Sequence, residues 1–184
     1  MLFALSVRRK CLSETVMKQL RLIATCVLAL VIATQGLSAQ DMPVPIPVQA
    51  RFFKKVFGYD KTIPKDGIKV VIVFGDTTPA DVKDDLVEAF NSMGMKASAT
   101  KAPQLATAGV GANVIYLAPG GELRAVKEFC KTNGILSISG LPNQARNGDI
   151  SIALDVVNDA PKVVVNPDRL KTERQDAAEL MRLR

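Results

Sequence analysis

"NGILSISGLPNQARNGDISIALDVVNDAPKVVVN", residues 133–166, decides the fold, because a regular alternation of strands and helices changes inside it. Asn133-Gly134 ends a helix, as Gly after a last helical turn often does. Ile135–Ser139 then reads as a strand. Ile150, Ile152, Leu154 and Val156 alternate with Ser151, Ala153 and Asp155, and a period of two marks a half-covered strand. Asn158-Asp159-Ala160-Pro161 is turn chemistry, so "KVVVN" (162–166) closes a hairpin over residues 150–166. Only a ten-residue polar loop, 140–149, separates the first two strands. The sheet is expected to lose its crossover helix there and to turn antiparallel.

Upstream of this stretch the pattern is βαβαβα. "IKVVIVFG" (68–75) is almost wholly apolar, as a strand covered on both faces is. Thr78 before Pro79 fits the N-cap and first position of a helix whose apolar face is Val82, Leu86, Val87, Ala89 and Phe90. "MKASAT" (95–100) and "ANVIYLAP" (112–119) follow as strands, with a loop or short helix over 103–111. Gly120-Gly121 opens a helix through Lys131. Before the first strand, Val48, Phe52, Phe53, Val56 and Phe57 recur at helical spacing behind a proline-rich, extended lead-in (40–47). Downstream, Asn166-Pro167-Asp168 starts a basic and acidic helix running toward Arg184. The pattern predicts an α/β three-layer sandwich: a mostly parallel sheet, helices on both faces and a C-terminal antiparallel hairpin.

The first 39 residues do not belong to that domain. "MKQLRLIATCVLALVIATQGLSAQ" (17–40) has a basic start, an apolar core from Leu22 to Ala33 and a small-residue end before Gln40. That is the order of a secretory signal peptide, with cleavage expected between Ala39 and Gln40 and Met17 as the expected true start. The apolar core is short for a bilayer span, which weighs against an uncleaved anchor. Cys26 lies within that core rather than after it, which weighs against a lipid anchor. Residues 48–184 are then a single domain.

Removing the leader changes the chemistry on offer. The whole chain has a formal charge of +6, but without the leader 19 basic residues face 17 acidic ones, and nucleic-acid binding loses its main support. Cys11 and Cys26 go with the leader, leaving Cys130 with no internal disulfide partner. Its place on a helix next to Phe129 reads as a small buried residue, with a free reactive thiol as the alternative. The chain has no histidine, which excludes Ser-His and Cys-His catalysis and histidine-bound metal.

Two strand-to-helix turns, "VFGDTTPAD" and "APGGEL", lie where anions bind in other α/β sheets. Neither contains GxGxxG or GxxxxGK[ST], so each reads first as a helix start. Asp76, Thr77, Thr78, Gly120 and Gly121 are the residues a small-ligand site would use. Asp81, Asp84 and Asp85 read as a solvated helix face, and Ser137 and Ser139 lack a base. No catalytic constellation and no cofactor motif emerges.

Residues 134–166 carry a resemblance. Gly134-Ile135-Leu136-Ser137-Ile138-Ser139-Gly140, then Gly148-Asp149-Ile150, then Val163-Val164-Val165-Asn166 resemble the strand, loop and hairpin pattern of the YfiR/HmsC-like family of exported bacterial proteins. Leu180-Met181 stands where that family has a near-terminal Leu-Leu, and "VQARFFKKVFGYDK" (48–61) is similar to the first helix of one branch. Tyr59-Asp60 replaces a Trp-Pro of other members, and the paired cysteines of some are absent. The resemblance implies a periplasmic regulator without enzyme activity, acting on the periplasmic domain of an inner-membrane diguanylate cyclase or sensor kinase, with a homodimer left open. Within it, Leu141, Pro142, Gln144, Arg146 and Asn147 are the expected partner contacts. The second reading is a periplasmic ligand-binding module of a transport or sensing system.

Overall fold

A computed structural model describes residues 42–175, 177–180 and 182, all within the unit Gln40–Arg184. The expected leader and its cleavage point at Ala39–Gln40 lie outside the described residues.

The first helix, α1 (Ile46–Phe57), begins two residues earlier than the phenylalanine stripe alone suggests. Pro47 sits in its first turn, where the missing N–H costs nothing, so the last proline of the lead-in is helical. The helix buries Ala50, Phe53, Val56 and Phe57, and leaves Lys54 and Lys55 in solvent. Strand β1 (Lys69–Phe74) leads to α2 (Ala80–Ser92) and β2 (Lys96–Lys101). A 3-10 turn (Ala102–Gln104) and the short α3 (Leu105–Ala108) lead to β3 (Val114–Leu117). Then come α4 (Leu123–Asn133) and β4 (Leu136–Ser139).

The sheet has six strands in the order β2-β1-β3-β4, completed by β5 (Ile152–Val157) and β6 (Ala160–Val165). After β2 the chain crosses back over β1 to lay down β3, so the strand order reverses between β1 and β3. Alternate residues of the inner strands feed two cores. Val70, Ile72, Val114 and Tyr116 pack with Phe53 and Phe57 of α1 and Leu86 and Phe90 of α2. Val71, Val73, Ile115 and Leu117 face the other way, onto Leu105, Val126 and Cys130. The first core is aromatic: Phe53 lies 6.2 Å from Phe57 and from Tyr116, and 6.3 Å from Phe90, ring centre to ring centre. The three-layer α/β sandwich expected from the sequence is what the chain forms.

The 133–166 stretch folds differently from expectation in one respect. The connection after β4 keeps a crossover helix, the five-residue α5 (Pro142–Arg146), and β5 pairs parallel to β4. The sheet turns antiparallel only one strand later, at the β5–β6 hairpin. The physical reason is reach: parallel neighbours need a crossover of about a dozen residues, and residues 140–151 supply it once one turn of helix is wound into them. Pro142 hid that turn, although proline is welcome at a helix start.

The C-terminal helix also differs. Asn166 caps α6 (Pro167–Thr172), its side chain accepting from Arg169 N at 2.8 Å. The helix then stops, and α7 (Ala177–Leu180) follows as a separate element. Arg174 sits at φ 57°, in the left-handed region, and Gln175 N donates back to Leu170 O at 3.0 Å. This is a helix-ending turn that usually employs glycine. Replacing Arg174 by glycine removes a Cβ penalty and is expected to raise the unfolding free energy by about 0.5–1 kcal/mol, read by urea denaturation. A loss of stability would show that the arginine side chain contributes more than the strain costs.

Candidate functional site

The residues expected to bind a small ligand converge on the sheet's carboxyl end, at the reversal between β1 and β3. Their loops touch backbone to backbone. A Cβ on Gly75 would lie 2.0 Å from Gly120 O, and one on Gly121 would lie 2.6 Å from Val73 O. Thr78 ties the two loops together: its hydroxyl accepts from Gly75 N at 2.9 Å and donates to Pro119 O at 2.6 Å. That use of the hydroxyl is why Thr78 does not cap α2, which starts at Ala80 with no side-chain cap.

Beside these loops an open cleft of about 400 Å³ is lined by Phe74, Asp76, Lys101, Pro103, Gly120 and Glu122 among others. Of the five expected residues, Asp76 and Gly120 line it, while Thr77, Thr78 and Gly121 belong to the loops behind. Lys101 and Glu122 were not anticipated. Lys101 ends β2, and only the strand order brings it beside Asp76, where Nζ and Oδ1 are 2.6 Å apart. That hydrogen bond, with the added charge of the ammonium, holds the Asp76 carboxyl below the usual carboxylate range. The cleft therefore presents one cation, two carboxylates and an apolar wall.

The expected partner contacts lie on and around α5. Leu141 is buried, Pro142 and Gln144 are half-buried, and Arg146 and Asn147 are exposed. Leu141 is thus a core residue rather than a contact, and the backbone of Gln144 is engaged, its carbonyl accepting from Asp149 N and Ile150 N. Arg146 forms an ion pair with Asp155 of β5.

Sequence reasoning missed the polar centre of this region. Glu173, fully buried, receives four hydrogen bonds: from Ser137 N at 2.8 Å, Ser137 Oγ at 2.6 Å, Ser151 Oγ at 2.6 Å and Arg169 Nε at 2.7 Å. Arg169 in turn donates to Lys127 O. Ser151 N donates to Ser137 Oγ at 3.0 Å. β4 pairs with β5 only at Ile138–Ile152 and Ser139–Ala153, so the Ser137 N–H has no strand partner and the carboxylate serves in its place. The alternation of serines with apolar residues in "LSIS" was the available signal. Ser139 is used likewise, donating to Leu117 O and accepting from Leu141 N.

Cys130 is fully buried, as expected of a small residue on this helix. Burial, with a smaller push from the Glu173 charge, raises its thiol well above the ordinary range, against a weaker opposing effect of Arg169. Among the described residues no group of three potential ligands could hold a metal ion, and no helix is long and apolar enough to cross a membrane. No protein-family model matches the chain, and no curated protein matches it.

Two outcomes follow from this geometry. Glu173→Gln removes the charge that compensates a buried guanidinium and turns an amide toward donors, so it is expected to cost about 3–5 kcal/mol in denaturant unfolding. A loss under 1 kcal/mol, the size of one ordinary hydrogen bond, would mean that the network is dispensable. Cys130 is expected to resist a thiol-specific disulfide reagent in native protein at pH 7–8 and to react fully once urea unfolds the chain. Rapid labelling in the folded state would contradict the protonated, enclosed thiol described here.

Proposed function

We propose that this protein is an exported regulatory binding protein, not an enzyme, that represses an inner-membrane diguanylate cyclase or similar sensor through the partner's periplasmic domain. The resemblance over residues 134–166 supports this reading, and those residues form one contiguous unit, β4–α5–β5–β6.

One structural observation carries it furthest. The outer end of the β5–β6 hairpin extends beyond the covering layers: Val156 and Val157, adjacent on a strand and so on opposite faces, are 38% and 43% exposed. Ile152 and Leu154 point into the aromatic core, so Asp155 and Val157 point to the side of α5. There Lys162, paired in register with Asp155, and Arg146 join them in a mixed apolar and charged face. Apolar residues with a polar and charged rim are what interfaces combine. The free edge of β6 is less suited to contact, since Pro161 offers no donor and Lys162 guards it. Docking by the face rather than by strand addition is the consequence.

A second reading has its own support: the cleft at the strand-order reversal, where α/β sheets commonly hold ligands, suits a periplasmic ligand-binding module.

The test is a pull-down from membrane extracts with the mature protein, read by mass spectrometry, with Arg146→Glu alongside. Recovery of an inner-membrane cyclase or sensor kinase is expected, reduced about tenfold or more by the charge reversal at the face centre. An unchanged far-UV spectrum keeps the variant's fold in view. Recovery of no membrane partner would overturn the regulatory reading. Equal recovery by both proteins would remove the β5–β6 face from it.

A further inference from the structure

The segment before α1 is tied across the sheet. Val44 is fully buried, and the Gln49 side chain, also fully buried, donates to Val44 O at 2.7 Å. Partly exposed Met42 lays its sulfur 3.2 Å from Tyr116 Oη and 3.4 Å from Gln49 Nε2. Tyr116 has one hydroxyl proton, and Gln49 Oε1 at 2.8 Å is the stronger acceptor, so the sulfur keeps a lone pair free. Beneath it lies Gly140, the residue that leads into α5. A Cβ at Gly140 would come within 2.6 Å of Met42 Sδ, Gln49 Oε1 and Tyr116 Oη alike. No space remains on the inner side of the sulfur.

We infer that Met42 is an oxidation site, and that conversion to its sulfoxide releases the 42–45 strap and loosens the adjoining Gly140–Asn147 segment. The reactant class is a peroxide. The sulfur lone pair attacks one peroxide oxygen, the O–O bond breaks and an S–O bond forms. Sulfur loses two electrons and hydrogen peroxide is reduced to water. The product is larger, polar and chiral where the thioether was enclosed. An added oxygen finds no room toward Gly140, so the side chain must turn out. Pro43 and Pro45 lock the backbone on either side of Val44, and the strap has little freedom to absorb the movement locally. The shift passes to Val44 and through its carbonyl to Gln49 and Tyr116. The other described sulfurs are placed otherwise: Met95 is 4% exposed, Cys130 is enclosed, and Met93 ends α2, where its carbonyl accepts from Lys54 of α1. As control of partner contact, the inference rests on the β5–β6 and α5 face proposed above. As a modification site, it stands on the strap geometry alone.

The experiment is peroxide treatment of the purified protein, read by peptide mass spectrometry and by hydrogen exchange. Gain of one oxygen at Met42 is expected to speed exchange about tenfold in residues 140–147, and methionine sulfoxide reductase is expected to reverse both. Met42→Leu should leave exchange slow and indifferent to peroxide, while Met42→Gln should raise it without any oxidant. Met42 that stays unmodified while Met93 is oxidised would overturn the inference, as would oxidised Met42 with unchanged exchange at 140–147. These readouts need no partner. Failure of the unoxidised protein to capture a membrane partner would count against the regulatory reading only.

Discussion

The Glu173 carboxylate occupies the place where β4 runs beyond its pairing with β5. A strand N–H left there without a partner would be buried and unsatisfied, at a cost of about 1–3 kcal/mol. Glu173 meets it, binds two serine hydroxyls as well, and is itself neutralised by Arg169 one helical turn away. Buried ion pairs are weak contributors when measured against an apolar core, because both ions lose their water. Here both carboxylate oxygens are used by donors, so four protein hydrogen bonds replace the water that the carboxylate gives up. The network joins β4, the crossover, α6 and α4 into one body.

Several features that look unrelated depend on that arrangement. α6 has to stop after one and a half turns so that Glu173 can turn inward, and Arg174 takes a left-handed conformation to let it. Gln175 then bonds Gly134 O and reaches Thr62, tying the end of α4 to the turn after α1. Cys130 is pressed into the same enclosure and feels the same two charges. The short α5 is held to the hairpin by Asn166, whose amide donates to Ala145 O at 3.0 Å while its oxygen caps α6. A rigid platform thus underlies the exposed hairpin end, and interfaces built on rigid elements lose less entropy on binding.

At the other end of the sheet the loops are organised by the absence of side chains. Gly75, Gly120 and Gly121 permit the strand-to-helix turns after β1 and β3 to meet directly, and Thr78 joins them. The cleft beside them follows from topology more than from any motif. β1 and β3 are neighbours, and the helices that follow them pack on opposite faces of the sheet, which opens a crevice at the reversal.

Much of this was legible in residues alone. The double-faced apolar strands, the helix stripes and the asparagine-capped final helix are local patterns, and local sterics and burial write them into the sequence. Asp76 and Gly120 could be named as cleft residues because strand-to-helix turns of a parallel sheet share one end. The parallel course of β5 could not be read, since one helical turn behind a proline resembles a loop and pairing direction is a property of two strands together. Lys101 could not be linked to Asp76, nor Met42 to Gly140, for the same reason. Above all, a glutamate in a charged C-terminal segment looks like a solvated residue. Its burial is decided only by where β4 lacks a partner, which is a consequence of the assembled sheet and of nothing nearer to Glu173 in the chain.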